Sequence, residues 1–192
     1  MSLVASVALL FCALSGDPES GMIAIQPLGY VPTTALNSVK SGLERVYGLQ
    51  AVVLPTAPLP KSAFYAPRNR YRADRLIESL AVQRRYTKVI GITTRDISAT
   101  KGENHDWGVF GLGRMPGRVC ISSSFRLGGS GKKSRNKRLA EVAVHEIGHT
   151  FGLPHCLVAR CVMADAKGTV RTVDASTGNL CANCRRNLAV KR

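Results

Sequence analysis

Residues 145–155 read HEIGHTFGLPH, a stretch that holds three of the chain's histidines. His145 and His149 are four residues apart, so on a helix both side chains lie on one face, about 6 Å apart along the axis. Two imidazoles in that arrangement can bind one zinc ion. Glu146 is not spaced to be a third ligand, and we expect it to act as general base beside the metal.

The residues after this helix supply a third ligand. Gly152 is suited to the left-handed conformation that ends helices, and Pro154 cannot continue one. His155 then follows on the reversed chain. The chain has 4 histidines, so finding three of them within eleven residues argues against coincidence. Three neutral imidazoles leave one tetrahedral position for water, which is typical of a catalytic zinc.

Four cysteines after the helix have the spacing of a second metal site. Cys156, Cys161, Cys181 and Cys184 form C-x4-C and C-x2-C pairs separated by 19 residues. Such spacing predicts a structural zinc, which would supply folding free energy to a segment with little core-forming pattern. The alternative is two disulfides in an exported protein. His155 and Cys156 are adjacent, so losing the structural metal should also impair the catalytic one.

The other two cysteines carry no predicted chemistry. Cys12 lies in a dispensable leader, and Cys120 is expected to be a small buried hydrophobe in a strand.

The motif His145-Glu-x-x-His149-x-x-Gly-x-x-His155 resembles the metzincin signature. Its continuation through Cys156, Cys161, Met163, Cys181 and Cys184, with 17 residues between Met163 and Cys181, resembles the archaemetzincins specifically. The stretches IQPLG at 25–29 and VFGLGR at 109–114 are also similar to that family.

The resemblance implies a zinc-dependent peptidase that takes peptide or protein substrates. It implies an α/β (α+β) metzincin-like fold with a mixed twisted sheet, packed helices, an active-site helix and a small irregular zinc-bound C-terminal lobe. It also implies that Met163 is the Met-turn residue beneath the metal. Two features depart from wider metzincins: Cys156 stands where several groups have an acidic residue, and all 5 tyrosines precede the helix.

Length, composition and charge limit the class of protein to which this chain can belong. The 192 residues predict one domain, and 45% hydrophobic residues exclude a disordered chain. No apolar run reaches the roughly 18–20 residues that a membrane span needs. With 27 basic and 12 acidic residues the net charge is 27 − 12 = +15, which permits an anionic partner without requiring one. We expect a monomer.

Two other functions fit parts of the sequence. A basic nucleic-acid-binding zinc protein would use the run KKSRNKR at 132–138, but this run contains no aromatic residue for base stacking. We expect the run to be a solvated loop, and the arginines between Arg68 and Arg75 to be a solvated face. An inactive peptide-binding zinc protein is the other alternative, although Glu146 argues against it.

Periodicity predicts the order of secondary-structure elements. Helices are expected over 33–47, with Thr33 or Thr34 as N-cap, over 73–85 and over 136–151. Strands are expected over 22–26, 50–54, 88–93, 106–112 and 118–125. Residues 22–152 would form a catalytic lobe that ends in the active-site helix, and 153–192 the lobe with the Met-turn and the cysteines.

Residues 1–21 allow several readings. The apolar run at 3–14 resembles a secretory signal, although no basic residue precedes it. Lipid attachment at Cys12 is weakened by bulky Phe11 before it, and the working chain could instead begin at Met22. Thiolates on zinc favour the cytoplasm, and export follows only if residues 1–21 act as a signal.

Overall fold

A computed structural model describes residues 19–190 of the chain. These residues contain nine strands and five α-helices. In chain order they are β1 (Glu19–Leu28), α1 (Thr33–Tyr47), β2 (Gln50–Val53), β3 (Phe64–Tyr65), β4 (Arg70–Arg72), α2 (Ala73–Leu80), β5 (Tyr86–Thr93), β6 (Ile97–Lys101), β7 (Asn104–Val109), β8 (Gly111–Gly113), β9 (Val119–Ser123), α3 (Arg135–Thr150), α4 (Val170–Ala175) and α5 (Ala182–Val190).

The central sheet has five strands in the order β2-β1-β5-β9-β8. All neighbours are parallel except β8, which pairs antiparallel with β9 at the edge. The buried strand β5 reads YTKVIGIT, the near-continuous apolar pattern of a parallel strand covered on both faces. A second sheet has the order β3-β4-β6-β7. The predicted α/β class with a mixed sheet is therefore confirmed.

Helices cover both faces of the central sheet. Leu43 of α1 and Leu139 and Ile147 of α3 belong to one buried cluster with the strands. Leu76 and Ile77 of α2 belong to a second cluster on the opposite side. Burial of such side chains is worth roughly 1.5–3 kcal/mol each, so the first cluster holds α1 and α3 against one face of the sheet and the second holds α2 against the other.

The C-terminal residues pack on the same core as α3. Val162, Met163, Leu180 and Leu188 are buried in the cluster that contains α1 and α3. The helices of this segment are short, with six residues in α4 and nine in α5. The predicted irregular C-terminal region is thus a loop-rich layer against the active-site helix.

Several predicted boundaries are corrected by the structure. The second helix ends at Leu80 instead of residue 85, because the apolar stripe is not continued at Gln83 and Arg84. The strand predicted over 106–112 is divided at Phe110 into β7 and β8, which belong to different sheets. Helix α1 begins after Pro32 without a side-chain cap, so neither threonine has the predicted capping role.

The two basic clusters are not simply solvated, contrary to expectation. In the run 132–138, Arg138 is buried and pairs with Asp174, and the Lys133 side chain is only 8% exposed and pairs with Glu141. In the second cluster, Arg70 is only 12% exposed and lies within ion-pair distance of two aspartates. Both clusters contain structural ion pairs that link distant parts of the chain.

The N-terminal predictions fall mostly outside the described residues. Cys12 and residues 1–18 of the proposed leader lie there, whereas β1 already begins at Glu19, before Met22. Cys120 is fully buried in β9, as predicted. Among residues 19–190, no helix combines the length and apolarity that crossing a membrane requires.

Candidate metal centre

Helix α3 carries most of the candidate site, and both of its ends are fixed. Ser134 is the N-cap, and its hydroxyl accepts a hydrogen bond from the Lys137 N–H at 3.3 Å. At the other end Lys88 Nζ donates to Thr150 O at 2.8 Å and to Gly117 O at 2.7 Å. Burial lowers the pKa of Lys88, yet its cation satisfies carbonyls at the negative end of the helix.

The three predicted histidines converge at one point. One ring nitrogen from each of His145, His149 and His155 lies within 4.8 Å of the other two. The Nε2 atoms of His145 and His149 are 2.9 Å apart. His145 Nδ1 lies 2.8 Å from Val162 O and His149 Nδ1 lies 2.8 Å from Leu153 O.

These hydrogen bonds decide which nitrogens can bind a metal. A carbonyl oxygen only accepts, so both Nδ1 atoms carry the proton and both Nε2 lone pairs face the centre. Two lone pairs at this separation repel each other unless a cation lies between them. Burial, followed by the charge of His149, lowers the pKa of His145 to about 4, so its ring is neutral near pH 7. The cluster therefore fits a bound zinc ion.

The chain reversal after α3 has the predicted form. Gly152 has φ +80°, a left-handed conformation that favours glycine. Its N–H donates to His149 O at 2.8 Å, and Leu153 N–H donates to Gly148 O at 3.0 Å. This turn brings His155 back to the histidines of the helix.

Glu146 lies beside the histidines in a closely packed environment. Its residue surface is only 7% exposed, and burial raises the pKa of its carboxyl group to about 8. A Cβ at Gly111 would lie 2.7 Å from Glu146 Oε1, and one at Gly113 would lie 2.7 Å from Glu146 O. The two glycines of β8 thus allow this strand to lie directly against the helix.

Met163 packs against the backbone of α3 at Gly148. A Cβ at Gly148 would lie 2.4 Å from Met163 Sδ, so the glycine between the two histidines makes room for the sulfur. Met163 is fully buried, and its carbonyl accepts from Cys156 N–H at 2.8 Å. The methionine therefore connects the helix to the start of the cysteine segment.

The four predicted cysteines also converge. The Sγ atoms of Cys156, Cys161, Cys181 and Cys184 lie within 4.8 Å of one another. Cys156 and Cys181 are 3.8 Å apart, as are Cys161 and Cys184. Hydrogen bonding from the Cys184 N–H lowers the pKa of Cys181 to about 7. A compact set of four sulfurs fits a closed tetrahedral site better than two separate disulfides.

A cleft of about 420 Å³ opens in front of the histidines. It runs along α3 from Met115 and Gly113, past His149, Glu146 and His145, to Glu141 and Ser176. Lys101 and Trp107 of the second sheet also line it, with Lys101 Nζ 5.5 Å from the Trp107 ring centre. Lys101 carried no sequence signal for this position, because periodicity does not show which side chains face a cleft.

Comparisons with known proteins agree with this geometry. Residues 35–190 match Peptidase family M54. The archaemetzincin of Natronomonas pharaonis is 35% identical over 175 residues, which cover 86% of this chain and 98% of that protein.

Two crystal structures of archaemetzincins are similar in fold. That from Methanopyrus kandleri has a TM-score of 0.77 and 28% identity, covering 93% of this chain and 98% of its own. That from Archaeoglobus fulgidus, complexed with malonate, has a TM-score of 0.74 and 30% identity, covering 86% and 99%. The match extends over most of the chain, including both clusters of metal-binding side chains, and so the chain belongs to the archaemetzincins, peptidase family M54, and is a zinc metallopeptidase.

Proposed function

We propose that His145, His149 and His155 hold the catalytic zinc and that Glu146 is the general base for peptide-bond hydrolysis. The observation that carries this proposal is the convergence of three histidine nitrogens within 4.8 Å, beside one buried carboxyl group, in a single cleft. Zinc, when bound there, supplies Lewis acidity and makes a water molecule easier to deprotonate.

Glu146 has the position and the environment for moving a proton. Without a cation its pKa is about 8 because it is buried, and a neighbouring positive charge favours the carboxylate form. The carboxylate would take a proton from the attacking water and would pass it to the leaving amine. The other carboxyl groups that line the cleft, Glu141 and Asp165, are further along the chain from the two helical histidines.

The edge strand β8 is the surface on which an extended peptide would bind. Within residues 19–190, β8 pairs with β9 on one side only. Its glycines lie against Glu146, so a peptide added at this edge would have its backbone near the general base. Main-chain hydrogen bonding of this kind suits peptides of varied sequence.

We further propose a second, structural zinc on Cys156, Cys161, Cys181 and Cys184. The support is the mutual proximity of the four sulfurs and the shortness of the helices around them. Because Cys156 follows His155 directly, this metal would fix the backbone that presents the third catalytic histidine.

Metal analysis and peptide cleavage test the proposal together. We expect two zinc ions per chain in the wild type and one in His149→Ala, measured by mass spectrometry of the native protein. Glu146→Gln should keep two zinc ions and lose cleavage of a peptide library by about 10²–10⁴-fold, because only the proton transfer is removed. Full activity of Glu146→Gln, or one zinc ion in both the wild type and His149→Ala, would overturn it.

A further inference from the structure

The cleft extends beyond the histidines by one turn of α3, and this extension has its own character. We call it the recess; its lining includes Glu141, Val142, Val162, Ala166, Thr172 and Ser176. Glu141 is four residues before His145, so the recess reaches about 6 Å past the metal centre along the helix. That depth suits a long side chain of the substrate, such as lysine or arginine.

The walls and the end of the recess differ in chemistry. Val142, Val162 and Ala166 offer apolar walls, which suit a methylene stem. The end is lined by Glu141, Thr172 and Ser176, whose side chains carry a carboxylate and two hydroxyls. The apolar entrance and the polar end together match a side chain with an aliphatic stem and a hydrogen-bonding head.

At the polar end, the lysine beside Glu141 is already fully paired. Lys133 Nζ lies 2.5 Å from Glu141 Oε2, 2.7 Å from Val173 O and 2.8 Å from Ser176 O. An ammonium group has three donors, so Lys133 has none left for a ligand. A carboxylate has about four acceptor sites, and Glu141 accepts from Lys133 at Oε2. Glu141 therefore keeps acceptor capacity for a donor group of the substrate.

Burial adds a reason for a cationic ligand. Glu141 is 5% exposed, and burial raises its pKa although Lys133 opposes the shift. A cationic group of the substrate that reached the carboxylate would compensate part of the free-energy cost of burying the Glu141 charge. An acidic side chain that reached Glu141 would be repelled by its carboxylate, and Lys133, whose three donors are all used, could not pair with it.

The directions of β8 and β9 indicate on which side of the scissile bond the recess lies. Antiparallel pairing is the more stable arrangement, and a peptide antiparallel to β8 runs parallel to β9. The start of β9 lies near the end of α3, where Gly117 N–H donates to Thr150 O at 3.1 Å. The C-terminal part of the peptide therefore points toward the beginning of α3, where the recess lies.

We propose that this recess, through Glu141 held by Lys133, selects lysine or arginine as the residue that follows the scissile bond. The inference rests on the proposed function, because it takes the histidine cluster as the place of cleavage. It names the class of substrate: peptides with a basic residue immediately after the cleaved bond, and not an acidic one.

The test compares peptides that differ only in this residue. Matched fluorogenic peptides with lysine, arginine, leucine or glutamate there are assayed for kcat/KM with wild type, Glu141→Gln and the control Glu44→Gln. Glu44 also pairs with a lysine, but on the outer surface of α1. We expect lysine to exceed glutamate by about tenfold or more in the wild type and in Glu44→Gln, and this ratio to shrink by a similar factor in Glu141→Gln.

Binding separates this inference from the proposed catalysis. Trp107 is the only tryptophan and lines the cleft, so its fluorescence reports peptide binding in Glu146→Gln, where substrates should stay intact. If Glu141→Gln misfolds, Thr172→Val and Ser176→Ala provide a second test. Each removes one hydroxyl from the polar end and should weaken binding of the lysine peptide relative to the leucine peptide.

The possible results distinguish a failure of the proposed specificity from a failure of the proposed catalytic site. Equal cleavage and equal binding of lysine, leucine and glutamate peptides would overturn the specificity while leaving the peptidase proposal intact. A preference that follows the residue before the scissile bond would also overturn it. Selective binding of lysine peptides without cleavage by the wild type would instead support the recess and contradict the catalytic assignment.

Discussion

The sheet lobe (residues 22–152) and the cysteine tail (residues 153–190) are held in shape by different forces. In the lobe, Ile23, Ile90 and Ile121 of three neighbouring strands are fully buried. In the tail the longest helix has nine residues, well below the roughly 12–15 at which an isolated helix becomes stable. Apolar burial therefore specifies the lobe, whereas the tail depends on its contacts with α3 and on its cysteines.

The candidate site takes residues from both regions. His145, Glu146 and His149 come from a helix fixed by the core, and His155 comes from the tail. The tail also orients the rings of the two helical histidines, because Val162 O and Leu153 O lie within hydrogen-bond distance of their Nδ1 atoms. We therefore expect the metal centre to be more sensitive to damage in the tail than to a loss of packing in the lobe.

The largest expected effect comes from removing a ligand of the cysteine cluster. Cys161 is 2% exposed, and Cys161→Ser would deprive the tail of metal binding whose free energy is of the order of 10 kcal/mol. We expect loss of the structural zinc, weaker zinc binding at the histidines and rapid amide exchange in residues 153–190. Zinc content and hydrogen–deuterium exchange measure these changes.

A core variant in the lobe is the matched comparison. Ile121→Ala empties space between the sheet and its helices and should cost about 2–5 kcal/mol in urea unfolding. Below the transition it should still bind two zinc ions, with a protected tail. The expected difference between tail and lobe would be wrong if Ile121→Ala lost zinc as readily as Cys161→Ser, or if Cys161→Ser kept both ions.

An intermediate effect is expected where the lobe meets the general base. In Gly111→Ala the new Cβ would lie 2.6 Å from Glu146 Cγ, so either strand β8 or the Glu146 carboxylate must move. A displacement of this size should lower kcat/KM by about a hundredfold. The measurement is peptide cleavage at saturating zinc, together with the zinc content.

Another buried glycine of the lobe provides the control for this change. A Cβ at Gly42 of α1 would meet Ala140 Cβ at an ordinary 3.4 Å, so Gly42→Ala should keep activity. Equal activity of both variants would show that the fit between β8 and Glu146 does not matter for catalysis.

Local signals allowed much of this architecture to be predicted. The stripe of Leu36, Val39 and Leu43 gave α1 its observed bounds, 33–47. The histidine spacing and Gly152 predicted the clustering at the end of α3, and the cysteine spacing predicted the second cluster. These features depend on residues near one another in the chain, so their geometry is encoded in short patterns.

Features that depend on distant partners could not be predicted in this way. In the second sheet, β3, β4 and β6 are two to five residues long, too short for a periodicity to show, and β7 was predicted only as part of one strand with β8. Lys133 and Arg138 looked solvated because their partners, near residues 173–176, are about 40 residues away. The recess, which combines α3 with the tail, was invisible for the same reason.

The smallest expected effect is at Lys88, where the lobe supports the end of the helix. Lys88→Met keeps an apolar stem beside the Phe151 ring but removes the donors to Gly117 O and Thr150 O, which should cost about 1–2 kcal/mol of stability. Lys40→Met, at a half-exposed pair on α1, is the control and should change stability by less than about 0.5 kcal/mol. Because Thr150 immediately precedes the turn to His155, Lys88→Met should also weaken zinc binding at the histidines, measured by competition with a chelator. Weaker stability with unchanged zinc affinity would mean that the tail alone sets the position of the third histidine, which would sharpen the division between the two regions.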